Sequence, residues 1–125
     1  MKRVVITGLG TINSTGHSVN ESFDAVVNGV CGIDKITLFD TTDFSVQIAG
    51  EVKNFDPETV MDKKEVKKAD RFIQLGIKAA LEAMIDSGFV TSENKKVDDS
   101  IANRFGIISG SGIGGLSTIE RNSVV

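Results

Sequence analysis

Three glycines near the end of the chain have a spacing that could bind a phosphate group. Gly110, Gly112 and Gly115 fit the pattern G-x-G-x-x-G, between an apolar run and a segment of helical character. A dinucleotide site uses such a loop against a pyrophosphate and also requires an acidic residue about 20 positions further on. Only ten residues follow Gly115, so that acidic partner is missing. The alternative is that the glycines let the loop approach another chain segment or a ligand closely.

The residues capable of nucleophilic catalysis lack partners close in sequence. Cys31 is the single cysteine, and we expect it to pack in a turn as a small, buried or half-buried side chain. His17 is the single histidine, and we expect it to be a solvated residue or part of a helix cap. Ser109 and Ser111 lie among glycines, but neither completes the G-x-S-x-G elbow. We therefore assign no catalytic residue within this sequence.

The acidic residues that lie close together do not indicate a metal site. They match no EF-hand loop, and no cluster of histidines and cysteines accompanies them. We expect them to be solvated loop carboxylates. These residues are Asp40, Asp43, Asp98 and Asp99.

A basic run, KKEVKKADR at residues 63–71, is a second candidate site. On a helix, Lys64, Lys67, Lys68 and Arg71 share one face by the i, i+3, i+4, i+7 spacing. In a chain of net charge −3, this face is a local positive patch. It is either a solvated helix face or a docking site for an acidic partner that is steered by charge.

The elements that position these residues alternate between strands and helices. Short β-branched runs predict strands, and capping residues with apolar periodicity predict helices. The strands are predicted at residues 2–10, 45–52 and 104–109, and the helices at 18–28, 56–59, 70–87 and from 116 onwards. This alternation is typical of the α/β class with at least part of the sheet parallel.

Two helices carry the clearest signals. Ser18 and Glu21 form a capping-box pair at the start of the first helix, and Gly88 ends the longest one. A glycine inside the longest helix, Gly76, indicates that another backbone packs close to it. The apolar stripes expected to face the core are Phe23, Val26 and Val27 on the first helix, and Ile73, Ile77, Ala80 and Met84 on the longest.

Composition excludes several classes of protein. The net charge of −3 argues against a nucleic-acid-binding protein, and no apolar run approaches the length of a membrane span. A single cysteine allows no disulfide framework and predicts a cytoplasmic location. The 125 residues are enough for one domain. The last helix begins near Leu116 and has no stop signal before a terminal SVV that is suited to burial, so we expect a fragment of a longer chain.

Several segments together resemble the β-ketoacyl-acyl-carrier-protein synthases, and most closely the type II elongating enzymes of fatty-acid synthesis. The resemblance covers nearly the whole chain except a polar loop near residues 91–103. The segments, in order, are KRVVITGLG, NGVCGID, LFDTTDF, IAGEVKNFD, KKEVKKADRFIQ, AAL followed by AMIDSG, and GIISGSGIGGL. Residues 1–125 would then be the N-terminal part of a thiolase-like domain, with a mixed sheet and packed helices.

The resemblance also implies an activity and its partners. The family works as a homodimer and condenses malonyl carrier protein with an acyl chain held on a cysteine, with loss of carbon dioxide. It implies no metal or other cofactor. The family's nucleophilic cysteine and two histidines lie beyond this sequence, and neither Cys31 nor His17 matches them.

Two features of the family can be carried over residue by residue. Lys64, Lys67 and Lys68 match the positions where the family presents positive charge to the acidic acyl carrier protein. Ile113 matches the residue that lines and gates the acyl pocket at the dimer interface of the type II enzymes. Two other functions stay open from the sequence alone: a free-standing nucleotide-binding α/β domain with the glycine loop, and a non-catalytic scaffold that binds an acidic protein.

Overall fold

The computed structural model describes residues 2–123, which combine α-helices with one short two-stranded sheet. In chain order the elements are α1 (Val19–Val27), β1 (Asp34–Lys35), β2 (Ile48–Ala49), a 3-10 helix (Pro57–Thr59), α2 (Lys63–Val66), α3 (Arg71–Asp86), α4 (Asp99–Ala102) and α5 (Leu116–Ser123). The two strands pair antiparallel, with Asp34 opposite Ala49. No helix in this part of the chain is long and apolar enough to cross a membrane.

The predicted helices are confirmed, because their start and stop signals are local. The Ser18 side chain accepts a hydrogen bond from the Glu21 backbone N–H at 3.2 Å and caps α1. The Glu21 carboxylate accepts from the His17 N–H at 2.6 Å, one residue before the position that a capping box requires. After α3, Gly88 takes a φ of 76°, a left-handed conformation that glycine adopts without strain.

The predicted strands are largely wrong for the residues described. Residues 2–10 and 104–109 belong to no strand, and the middle strand shrinks to Ile48–Ala49. A strand needs a neighbour that pairs with its backbone N–H and C=O groups, and these two segments have none among residues 2–123. Their apolar side chains are consequently open to solvent, with Val4 and Ile107 each 93% exposed. The parallel sheet expected from the sequence is therefore not formed within this part of the chain.

The apolar stripes also face outward. On α1, Ser22 and Ala25 are the buried residues, whereas the predicted stripe Phe23, Val26 and Val27 is exposed. On α3 the buried residue is Gln74; the stripe residues Ile73, Ile77 and Ala80 are exposed, and the fourth, Met84, is half-buried. The reason is that α3 has apolar residues on more than one side, and the described chain covers only one of them.

The side of α3 that is covered binds the N-terminal segment through two carboxylates. Asp86 accepts a hydrogen bond from the Leu9 N–H at 2.9 Å. Glu82 accepts from the Thr11 N–H at 3.1 Å and from the Val19 N–H at 2.8 Å. The two carboxylates thereby hold residues 9–19 along the C-terminal half of α3.

A close backbone approach occurs on α3, but not at the glycine where it was predicted. A Cβ added at Gly8 would overlap the carbonyl oxygen of Ala83, and one added at Gly10 would overlap that of Ala79. A Cβ at Gly76 would instead meet open space among the described residues. The glycines that permit the contact therefore belong to the crossing segment, and the helix contributes small alanines.

Candidate functional site

The lysines of residues 63–68, called here the lysine segment, lie on α2 and the turn after it. The helix ends at Val66, and hydrogen bonds from the N–H groups of Lys68 and Ala69 to the Glu65 carbonyl continue one more turn. Arg71 is the first residue of a separate helix, α3. The prediction that Lys64, Lys67, Lys68 and Arg71 share one helix face is therefore wrong. The lysines themselves are all exposed: Lys63, Lys64, Lys67 and Lys68.

A buried glutamine holds the lysine segment against α3. Gln74 is 9% exposed, and its amide nitrogen donates to the carbonyls of Ala69 at 3.0 Å and Val66 at 3.3 Å. These carbonyls belong to the end of the turn, where a helix has no backbone partners left. Gln74 was not singled out from the sequence, because its hydrogen-bond partners are not visible in the spacing.

Arg71 is used inside the molecule. Its guanidinium lies 5.1 Å from the centre of the Phe55 ring and donates to the Val52 carbonyl at 3.2 Å. This geometry is a cation–π contact, which fixes the start of α3 over the preceding loop. The positive charge of the candidate surface therefore comes from the lysines.

The charge of the lysine segment is open to solvent. None of its four lysines takes part in the ion pairs found within residues 2–123. The nearby carboxylates in sequence, Asp62 and Glu65, are also exposed and leave an excess of positive charge. An exposed, unpaired patch of this kind can attract an acidic surface at distances comparable with the Debye length, about 10 Å at 0.1 M salt.

The glycine loop, residues 110–115, leads directly into α5 and has no strand before it. Gly114 has a φ of 79°, which favours glycine. The Asp70 carboxylate lies against Gly115, and it accepts a hydrogen bond from the Thr118 hydroxyl. A carboxylate therefore lies beside the helix N-terminus where a pyrophosphate would have to bind, and the two anions would repel each other.

Ile113 lies on this loop and is 73% exposed. Within residues 2–123 its side chain is therefore not enclosed. The neighbouring apolar residues before the loop, Ile107 and Ile108, are exposed as well. A β-branched residue at the tip of an anchored loop is suited to forming one wall of an apolar site.

The two potential catalytic side chains do not form a catalytic pair. Cys31 is exposed, so the expectation of a buried or half-buried thiol is wrong; its sulfur lies 3.8 Å from the Ile33 carbonyl oxygen. The His17 Nε2 lies 2.9 Å from the Lys53 carbonyl oxygen, and its ring packs edge-on against Phe55. His17 is half-buried, and its backbone N–H donates to Glu21 beside the Ser18 cap, which agrees with the predicted position in a helix cap.

Two of the four acidic residues that are near one another in sequence, Asp40 and Asp98, accept hydrogen bonds from residues two positions further on. The Thr42 hydroxyl and backbone N–H donate to Asp40 and hold the pKa of that carboxyl below its ordinary value. Asp98 accepts from the Ser100 N–H at the start of α4, and Ser100 likewise lowers the pKa of Asp98. Among the residues described, no group of three or more histidine, cysteine or acidic side chains could hold a metal ion.

Comparison with known proteins gives one consistent family. A model described as "Beta-ketoacyl synthase, N-terminal domain" matches residues 1–124. The chain is 46% identical over 119 residues to a 3-oxoacyl-[acyl-carrier-protein] synthase 2 of Staphylococcus aureus strain N315, which covers 95% of this chain and 27% of that protein. A protein of the same name from Vibrio cholerae is also 46% identical over 119 residues, with the same coverage of 95% and 27%.

A more distant relative agrees with these. The protein of that name from Coxiella burnetii is 41% identical over 121 residues, which are 97% of this chain and 28% of the relative. The chain thus spans about a quarter of the length of the curated relatives it matches. With a family model matched over residues 1–124, the chain belongs to the β-ketoacyl synthase family, in its N-terminal domain.

Proposed function

We propose that this chain is the N-terminal part of a type II 3-oxoacyl-[acyl-carrier-protein] synthase with a thiolase-like fold. The proposed enzyme serves fatty-acid biosynthesis: it condenses malonyl carrier protein with a cysteine-bound acyl chain and releases carbon dioxide. The observation that carries the proposal is the family match over residues 1–124 together with 46% identity to relatives of that name. The solvent-exposed segments around Val4 and Ile107 support it, because additional strands of a larger sheet would cover them.

The catalytic groups are proposed to lie in the rest of the longer protein. Thioester exchange and condensation need a thiolate and hydrogen-bond donors placed at the developing oxyanion. Among the described residues, the one thiol is exposed in the loop between α1 and β1, and the one imidazole is bound to the Lys53 carbonyl. The reading frame beyond Val125, or the intact mass of the protein, tests this point. A frame that adds no cysteine and no pair of histidines would contradict it.

We also propose that the lysine segment docks the acyl carrier protein. The support is physical: the lysines are exposed and unpaired within residues 2–123, and Gln74 fixes the turn that carries them. A fixed patch of positive charge steers an acidic partner and adds binding that is equal in the ground and transition states.

The test is reversal of charge in the complete protein, Lys64→Glu with Lys68→Glu. We expect the KM for carrier-linked substrate to rise, while kcat stays nearly unchanged, as it does when uniform binding is lost. Salt should weaken the wild type much more than the variant, since the Debye length falls to about 3 Å at 1 M salt. A small acyl thioester without the carrier should react equally with both proteins.

A matched control reverses two lysines elsewhere, Lys95→Glu with Lys96→Glu. Both lie in the polar loop before α4, and Lys96 has only an exposed ion pair with Asp99 to lose. This control changes the net charge by the same amount and should leave the KM for carrier-linked substrate as in the wild type. An unchanged KM in the Lys64/Lys68 variant at low salt would show that the segment is merely solvated.

We further propose that Ile113 lines the acyl pocket, at an interface between two copies of the complete protein. The support is its position on an anchored loop and its 73% exposure, which leaves it free to contact a second chain or an acyl group. Light scattering on the complete protein should give the mass of a dimer. An active monomer would contradict the shared pocket.

A further inference from the structure

The glycine loop is attached to the rest of the molecule by a single polar contact. Residues 106–123 contain the loop and α5. Of the hydrogen bonds found within residues 2–123, only the one from the Thr118 hydroxyl to Asp70 joins this stretch to the remainder of the chain. The position of Ile113 therefore depends on Asp70, although the two residues are far apart in sequence.

Asp70 is at the N-cap position of α3 but does not cap its own helix. Its backbone is extended, with φ −61° and ψ 157°, and its side chain makes no capping hydrogen bond. An aspartate at this position ordinarily accepts from an N–H of the first turn. Here the carboxylate faces α5 instead, where it contacts Thr118 and Gly115. The Asp70 carboxylate therefore binds the start of α5 and not the start of its own helix.

The hydroxyl of Thr118 is oriented by a third residue. The Arg121 guanidinium donates to the Thr118 oxygen at 3.2 Å. An oxygen that already accepts this bond directs its own proton elsewhere, and the partner in reach is Asp70. A hydrogen bond to an ionised acceptor is roughly twice as strong as a neutral one.

Gly114 and Gly115 allow this contact because they have no side chain that would overlap the start of α3. A Cβ at Gly115 would overlap the Asp70 carboxylate. At Gly114, where φ is 79°, a Cβ would lie 3.4 Å from the Phe72 ring. Asp70 and Phe72, both at the start of α3, therefore support the end of the loop that carries Ile113. Within the described chain, Gly114 and Gly115 allow the loop to pack against the start of α3, whereas an added Cβ at Gly110 or Gly112 would meet open space.

We propose that Asp70 is a positioning residue: through Thr118 it fixes the Ile113 loop relative to the lysine segment and so sets which acyl chains the pocket accepts. The inference rests on the proposed function, since it takes Ile113 as a wall of the acyl pocket. Asp70 lies two residues after Lys68, so the carboxylate that seats the loop directly follows the surface that docks the carrier.

The experiment compares Thr118→Val and Thr118→Ser in the complete enzyme, with acyl primers of increasing length. Valine keeps the shape of threonine and removes the donor, whereas serine keeps the donor. For Thr118→Val, we expect the ratio of kcat/KM between long and short primers to fall about tenfold, the size of a lost hydrogen bond to a charged group. Short primers that do not reach Ile113 should keep their rate, and Thr118→Ser should keep the wild-type ratio.

Two outcomes would overturn the inference. A wild-type length profile in Thr118→Val would show that the contact does not position the loop. An equal loss at every length would show that it only supports folding. The docking proposal is tested separately. Thr118→Val should leave the KM for malonyl carrier protein unchanged. Lys64→Glu with Lys68→Glu should raise this KM with primers of every length.

Discussion

At the scale of single residues, Ile113 combines a stiff side chain with an anchored backbone. Branching at Cβ leaves it few rotamers, and Gly115, two residues further on, is fixed against Asp70. A larger side chain at this point cannot move aside easily. A larger residue at position 113 would therefore narrow the far end of the proposed acyl pocket, which only long acyl chains reach.

We predict that Ile113→Phe in the complete enzyme lowers activity with long acyl primers more than with short ones. The ring would block the end of the pocket, and overpacking typically costs about 1–3 kcal/mol. Rates measured over a series of primer lengths test this. As a control, Ile113→Val keeps the branched Cβ and should retain the long primers. A uniform loss over all lengths would indicate a folding defect instead.

The sequence predicted part of this site, and the missing part has a physical reason. The close approach predicted from the glycine spacing occurs at Gly115, which lies against Asp70, whereas an added Cβ at Gly110 or Gly112 would meet open space among the described residues. The spacing could not predict which residues contact the loop, because Asp70 and Thr118 are 48 positions apart in sequence. Gln74 was missed for a similar reason: an isolated glutamine in a helix carries no signal until its carbonyl partners are known.

At the scale of elements, the helices were predictable and the strands were not. A helix satisfies its own backbone, so caps such as Ser18 and the stop at Gly88 decide where it begins and ends. A strand depends on its neighbours, and residues 2–10 have no paired neighbour within the described chain. The sheet that does form is short and is supported by side chains around it.

Two of these side chains, Asp34 and Glu51, are carboxylates whose pKa values lie below their ordinary values. The Lys53 ammonium, 2.9 Å from Asp34, and the Lys35 N–H lower the pKa of Asp34. The backbone N–H and hydroxyl of Thr37 lower the pKa of Glu51. A carboxyl whose pKa is lowered by folding stabilises the fold above its unfolded pKa, and this contribution is lost as the pH falls through its folded pKa.

We predict that Lys53→Met raises the pKa of Asp34 toward its ordinary value, because it removes the main partner of the carboxylate. The carboxyl carbon resonance of Asp34, followed by NMR through an acid titration, measures this shift. Asp98 provides the internal control, since Ser100 and not Lys53 lowers its pKa. An Asp34 that titrates identically in both proteins would mean that the ion pair does not persist in solution.

At the scale of the whole molecule, residues 2–123 form a framework whose apolar surface is mostly uncovered. The buried hydrophobic residues among them are only Ala25 and Val90, whereas Val4 and Ile107 are almost fully exposed. Apolar patches of this extent are rare on stable monomers. The proposed enzyme therefore requires its remaining sequence both for its catalytic groups and for its core.

We predict that the 125-residue chain alone has no condensing activity with acyl and malonyl carrier protein. The reason is that it offers one exposed thiol, at Cys31, and no imidazole free to act on it among the described residues. Carbon dioxide release and product formation measure the activity. Turnover by the purified chain that disappears in Cys31→Ala would contradict the prediction and make Cys31 a nucleophile.

The exposed segment around Val4 also has a consequence for biosynthesis on the ribosome. In the proposed longer enzyme this N-terminal-domain segment would emerge before the sequence that is proposed to cover it. At about 5–20 residues per second, the remaining three-quarters of a relative's length takes tens of seconds to synthesise. During that interval Lys2 and Arg3, which flank the apolar run, are placed to act as gatekeepers against aggregation of nascent chains.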